Sequence, residues 1–150
     1  MSEGAGDTVA ISCEGRPENL ARLLDFIDRA TATAQVGPEE AFAVRLAVEE
    51  VCTNIIAHGY GGGGSEPVSV RVSRAPGRLA VAIEDRAPPF DPADVPAPDL
   101  GADWAERPIG GMGWHLVREL MDEVRHEPGA TGGNRVTLVK YLPEASGPTR

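Results

Sequence analysis

The sequence predicts an α+β sandwich: a mostly antiparallel five-stranded mixed sheet with three helices on one face. Three observations carry this expectation. Segments with helical apolar spacing come as a block of two near the start and a single one later, whereas segments of alternating polarity come in adjacent pairs. The resulting order, β-α-α-β-β-α-β-β, shows no internal repeat and implies a sheet covered on one side. The length of 150 residues suits one domain, spanning 1–150, with an ordered core at about 7–142.

The elements follow in turn. Thr8 to Cys13 alternate loosely and read as a first strand. Pro17 suits the first turn of a helix that carries Leu20, Leu23, Leu24 and Ile27 at helical spacing. After Gly37 and Pro38, a second helix runs from about Glu39 to His58, with Val44, Val48, Val51 and Ile55 forming its apolar stripe. The glycine run from Gly59 to Gly64 ends it. Val68 to Ser73 and Leu79 to Glu84 form a hairpin through Ala75-Pro76-Gly77. A long loop rich in Pro, Asp and Ala follows from Arg86 to Pro108, a length usual for functional segments. A third helix begins near Gly113 and runs to about Met121; Glu123 to His126 and Arg135 to Tyr141 are the last strands.

Composition narrows the partners. With 14 basic and 23 acidic residues the net charge is −9, which disfavours direct contact with nucleic acid. No apolar run is long enough to span a bilayer and no secretory leader is evident, so a cytoplasmic location without membrane attachment is expected. Cys13 and Cys52 read as buried, reduced thiols, and His58, His115 and His126 share no metal-ligand spacing.

Three segments carry chemistry. Glu50 and Asn54 lie four apart, on a helix face whose other members, Ala43 and Ala47, are small enough to leave room for a ligand. An amide oxygen there can complete a Mg²⁺ shell, and a carboxylate one turn away can take a proton; the same pair also fits an ordinary solvated face. Asp85 ends an apolar strand, where its carboxylate can accept from an exocyclic amine or simply start a turn. Gly110, Gly111 and Gly113 immediately precede the third helix, as a phosphate cradle or a tight turn would.

Taken in this order and spacing, these segments resemble the Bergerat ATPase superfamily of histidine-kinase catalytic domains, gyrase and MutL proteins. Glu50, Asn54, His58, Gly59 and Tyr60, with Gly111 to Trp114 and Met121 to Val124, are most similar to the RsbW-like anti-sigma serine kinases. The resemblance extends from the first strand to Leu142. It implies ATP and Mg²⁺ as cofactors, with Asn54 coordinating the metal and Glu50 acting as catalytic base. Asp85 and Ala87 would serve the adenine, and Gly110, Gly111, Met112 and Gly113 the phosphates, under a lid at 91–109. It further implies a serine/threonine kinase acting on a STAS-type anti-anti-sigma protein and sequestering a sigma factor. Arg22 would grip protein partners, and the chain would form a homodimer through its first-strand edge. The alternative is a catalytically weak or inactive partner-binding module of the same fold. A histidine-kinase catalytic fragment fits less well, because His58 lies inside the ATP-site helix.

Two positions depart from the family pattern. Ala87 stands where the family reads glycine, and Asn134-Arg135 replaces a threonine pair. If position 87 needed positive φ or a close approach to adenine, alanine there would be costly. Both departures fall on the adenine side, so they bear on nucleotide affinity rather than reaction type.

Overall fold

The computed structural model describes residues 8–88, 111–129 and 132–143, and of Gly111 and Met112 the backbone alone. Strand β1 (Thr8–Glu14) leads through a single 3₁₀ turn at Pro17–Asn19 into helices α1 (Leu20–Thr33) and α2 (Pro38–Asn54). The hairpin β2 (Pro67–Ala75) and β3 (Arg78–Asp85) follows, then α3 (Gly111–Leu120), β4 (Glu123–Pro128) and β5 (Asn134–Tyr141). The strands lie in the order β1-β2-β3-β5-β4. All four pairings are antiparallel, a narrower result than the mixed sheet the sequence suggested. No helix among the described residues is long and apolar enough to cross a membrane.

The register aligns the alternating residues into apolar rows. Ile11, Val70, Ile83 and Val136 form one row that ends at His126, and Val9, Val72, Val81, Leu138 and Val124 form the next. Onto these rows pack Leu23, Leu24 and Ile27 of α1, Val44, Val48 and Val51 of α2, and Trp114 and Val117 of α3. Most of these side chains are fully buried, and each contributes roughly 1.5–3 kcal/mol relative to an exposed position. Cys52 joins this core as a free thiol that burial pushes up to about 12, while Cys13 is half-buried.

Local chemistry sets the helix ends. Gly37 is extended, Pro38 occupies the first turn of α2, and Glu39 and Glu40 face the positive end of its dipole. Beyond Asn54 the helix does not continue regularly to His58 as expected. Its last turn, Ile55–Gly59, widens, with the Tyr60 N–H donating to the Ile55 carbonyl five residues back. The third helix starts at Gly111 rather than near Gly113, so both glycines belong to its first turn instead of to a preceding loop.

The two sheet edges differ. β4 carries Glu123, Arg125, His126, Glu127 and Pro128, a charged and proline-blunted edge. β1 carries no charge before Glu14 and leaves Val9 45% exposed.

Tyr60 joins three elements at the end of the sheet where the site lies. Its hydroxyl donates to the Pro67 carbonyl at 2.7 Å and accepts the Arg86 N–H at 2.7 Å. Its ring packs where a side chain on Gly15 would stand. Tyr60→Phe removes both hydrogen bonds without changing the shape, and should lower unfolding free energy in urea by about 1–3 kcal/mol. A change below about 0.3 kcal/mol would show that the staple carries no stability.

Candidate functional site

On the α2 side, the helical period sets Glu50 and Asn54 one above the other, off the valine stripe. Asn54 is buried at 9% exposure, and its Nδ2 makes no hydrogen bond among the described residues. Glu50 is half-buried; desolvation first, and the neighbouring Glu49 second, raise its carboxyl above the usual range. Ala43 and Ala47 do not line an open space as expected: both are buried, Ala47 completely.

The first turn of α3 lies directly against this pair. A Cβ on Gly113 would stand 2.6 Å from Glu50 Oε1 and 3.2 Å from Asn54 Nδ2. A side chain at 113 would therefore displace the Glu50 carboxylate, the free end of a flexible side chain, and crowd the Asn54 amide. The N–H groups of a first helical turn have no intrahelical acceptor, so Gly111, Met112 and Gly113 bring backbone donors and the positive helix end beside a buried amide and a carboxylate. Gly110 and the 91–109 segment lie outside the described residues, as does the Met112 side chain.

The second half of the site is built at the end of β3. Asp85 is only 5% exposed. Its Oδ1 accepts the Ala87 N–H at 2.8 Å and the Asn134 Nδ2–H at 3.1 Å. Burial raises its carboxyl above the usual range, and those two hydrogen bonds pull it part of the way back. Gly133, at φ +79°, lets β5 come alongside: a Cβ there would fall on the Asp85 carbonyl oxygen.

The departure at position 87 carries no backbone penalty. Among the described residues only Gln35 is a non-glycine with positive φ, so Ala87 sits in an ordinary region. Its methyl is accommodated by a glycine elsewhere, since a Cβ on Gly59 would stand 2.8 Å from the Ala87 Cβ.

The structure thus brings Glu50, Asn54 and Gly113 together, and builds the Asp85–Ala87 corner beside Gly59 at the C-terminal end of α2. Arg22 lies apart from them. It is exposed on α1 and lines a broad open groove of about 1010 Å³, together with Val9 and Ile11 of β1 and Arg29 of α1. Sequence reasoning placed Asn134 on this side only as a departure from the family pattern; it missed the contact of Asn134 with Asp85, and it missed His126 altogether. The signal is the pairing of Asn134 opposite Asp85 in the β3–β5 register, which becomes visible only when strand partners are known. Among the described residues no group of three His, Cys, Asp or Glu side chains could hold a metal ion.

Comparisons agree with this geometry. Residues 13–140 match the family model described as histidine kinase-like ATPase domain. The chain is 34% identical over 141 residues to the serine-protein kinase RsbW of Bacillus subtilis (strain 168), covering 91% of this chain and 86% of that one. It is 30% identical over 127 residues to the anti-sigma F factor of Bacillus cereus, covering 83% and 84% respectively. The fold is similar, with a TM-score of 0.65 at 18% identity, to a crystal structure of the RsbU and RsbW domains of Rv1364c from Mycobacterium tuberculosis. That match covers 90% of this chain and spans about a third (32%) of the larger one.

The contact between positions 59 and 87 predicts a coupled pair. Gly59→Ala should destabilise the protein by about 1–3 kcal/mol through overpacking. The same change in an Ala87→Gly background should cost less than half as much, as read from urea unfolding of the double-mutant cycle. Additive costs would place the strain elsewhere.

Proposed function

Because the chain belongs to the histidine kinase-like ATPase family, in its RsbW-type branch, we propose that it binds ATP between α2 and α3 and phosphorylates a serine or threonine of a STAS-type anti-anti-sigma protein. In its other complex it sequesters a sigma factor. The observation that carries this reading is the buried Asn54 amide without a partner, set beside Glu50 and the glycine-opened end of α3. A buried polar atom left unsatisfied costs about 1–3 kcal/mol, and a ligand that completes its bonding removes that cost.

Asn54 also fits a metal. Its oxygen and nitrogen are assigned from hydrogen-bond partners, and with none at the buried end either atom can face the ligand. Asn54 would hold a Mg²⁺ ion brought with the nucleotide, and the ion would supply charge neutralisation that this acidic protein cannot supply alone. Glu50 accepts the proton of the attacking hydroxyl, a role suited by its raised carboxyl. The first-turn N–H groups of α3 hold phosphate oxygens. Asp85 accepts from the adenine amine, with Ala87 fixing the carboxylate from behind.

The reading as an inactive module rested on Ala87, and the ordinary backbone there removes the conformational part of its support. Arg22, in the groove beside β1, is placed to meet a protein partner. The bare β1 edge supports a homodimer formed by strand pairing.

Calorimetry with Mg²⁺ and ATP tests the pocket: wild type binds, and Asn54→Ala weakens binding about tenfold or more. Absence of wild-type binding at millimolar ATP sinks the kinase reading. Phosphoryl transfer to a co-encoded STAS protein should fall by about 10²–10⁴ in Glu50→Gln. The base must be ionised, so activity is lost as pH falls through the raised Glu50 value, above the ordinary carboxylate range. Glu49→Gln removes the like charge and should move this acid limb to lower pH; a limb that does not move assigns it to another group. Gly113→Ala should leave thermal unfolding close to wild type, because the Glu50 carboxylate can swing away, while transfer collapses with its displacement.

A further inference from the structure

We propose that Asn134 and His126 form a positioning relay that presents the second oxygen of Asp85 to the base, and so set this site's selectivity for a purine bearing an exocyclic amine. The proposal rests on the reading of Asp85 as the base-contacting carboxylate. Asp85 and Asn134 stand directly opposite one another across β3 and β5, and Asn134 is completely buried.

The orientation of the Asn134 amide is settled by its surroundings. Its nitrogen faces three oxygens: Asp85 Oδ1 at 3.1 Å, the Pro88 carbonyl at 3.2 Å and the Ala87 carbonyl at 3.4 Å. Only the NH₂ end can donate to them. Its Oδ1 is thereby turned toward His126 Nε2, 2.8 Å away. An amide oxygen only accepts, so Nε2 carries the hydrogen in this contact. An imidazole on the edge strand β4 thus holds the far end of a buried amide that the three oxygens already orient.

The consequence falls on Asp85. Among the described residues, both hydrogen bonds to its carboxylate end on Oδ1, one from the Ala87 N–H and one from Asn134. Oδ2 is left as the acceptor for a ligand. The terminal torsion of an aspartate is soft and nearly two-fold, so one bond alone would let the two oxygens exchange. Two donors on the same oxygen hold the other in place. An amine at the 6-position of a purine donates to that oxygen, whereas a 6-oxo group brings acceptor against acceptor, and sites built on such a bond discriminate strongly. Asn134 also holds the Ala87 and Pro88 carbonyls, which anchors the chain where it leaves β3. Neither Asn134 nor His126 needs to touch the nucleotide for this role.

The test compares ATP with inosine triphosphate, whose base carries the 6-oxo group, by calorimetry on the full chain. Wild type prefers ATP, and Asp85→Asn, the reference, abolishes the preference. Asn134→Ala should lower ATP affinity about tenfold while inosine triphosphate binding stays nearly constant. His126→Ala should act in the same direction, and His126→Gln, which restores a donor toward Asn134, should recover most of the selectivity. If both nucleotides weaken equally, or neither changes, while Asp85→Asn still abolishes the preference, the relay is overturned and the base contact stands. An Asp85→Asn chain with unaltered selectivity overturns the base contact itself, and the relay with it. Should Asn134→Ala fail to fold, the two His126 variants decide the matter alone.

Discussion

A carboxylate buried at the end of a central strand must be hydrogen-bonded, and much of the site is arranged around that requirement. Removing an ionised group from water costs several kcal/mol unless donors replace the lost hydration. Asp85 receives them from its own strand end and from the strand beside it. Both donors depend on geometry fixed elsewhere. The Ala87 N–H is aimed by the turn that Tyr60 helps to hold through Arg86. The Asn134 amide reaches Asp85 because Gly133 takes a backbone conformation open to few other residues. The Asp85 side of the site is therefore less a set of contributed side chains than one strand ending with its supports.

The side between α2 and α3 follows another logic. Helix α2 serves the core with Val44, Val48 and Val51 and the site with Glu50 and Asn54, on neighbouring stripes of one helix. Its regular winding stops at Asn54, and the widened turn begins at the next residue. Irregular turns of this kind concentrate at functional positions. The unsatisfied amide at the same place fits the general pattern in which a protein breaks a local rule where it binds something. The two sides differ in finish: Asp85 has two donors on one oxygen before any ligand arrives, whereas the Asn54 Nδ2 has no partner among the described residues.

Much of this was legible in the residues themselves. Valines at i, i+4 and i+7 announced α2, alternating Val-x-Val announced the β2–β3 hairpin, and Glu50, Asn54, Asp85 and the glycines stood at telling intervals. What could not be read was lateral. That Asn134 faces Asp85 depends on which strands neighbour each other and in what register, and β5 pairs with β3 across an intervening helix and strand in the chain. That Gly59 makes room for the Ala87 methyl depends on the approach of two segments far apart in sequence. The start of α3 was misplaced because Gly111 and Gly113 are poor helix formers by propensity. Close approach to Glu50, rather than propensity, decides that turn.

The contrast between the two sheet edges limits how large an assembly can become. A strand edge that is bare at one side and charged, with a terminal proline, at the other can be joined at one side only. Two copies meeting through β1 by a two-fold axis would bury both bare edges at once. The sheet that results would run continuously through both subunits and finish in β4 at each end, where Glu123, Arg125, Glu127 and Pro128 offer poor templates for a further strand. Such pairing would be self-terminating, since a pair would leave no bare edge among the described strands to extend it.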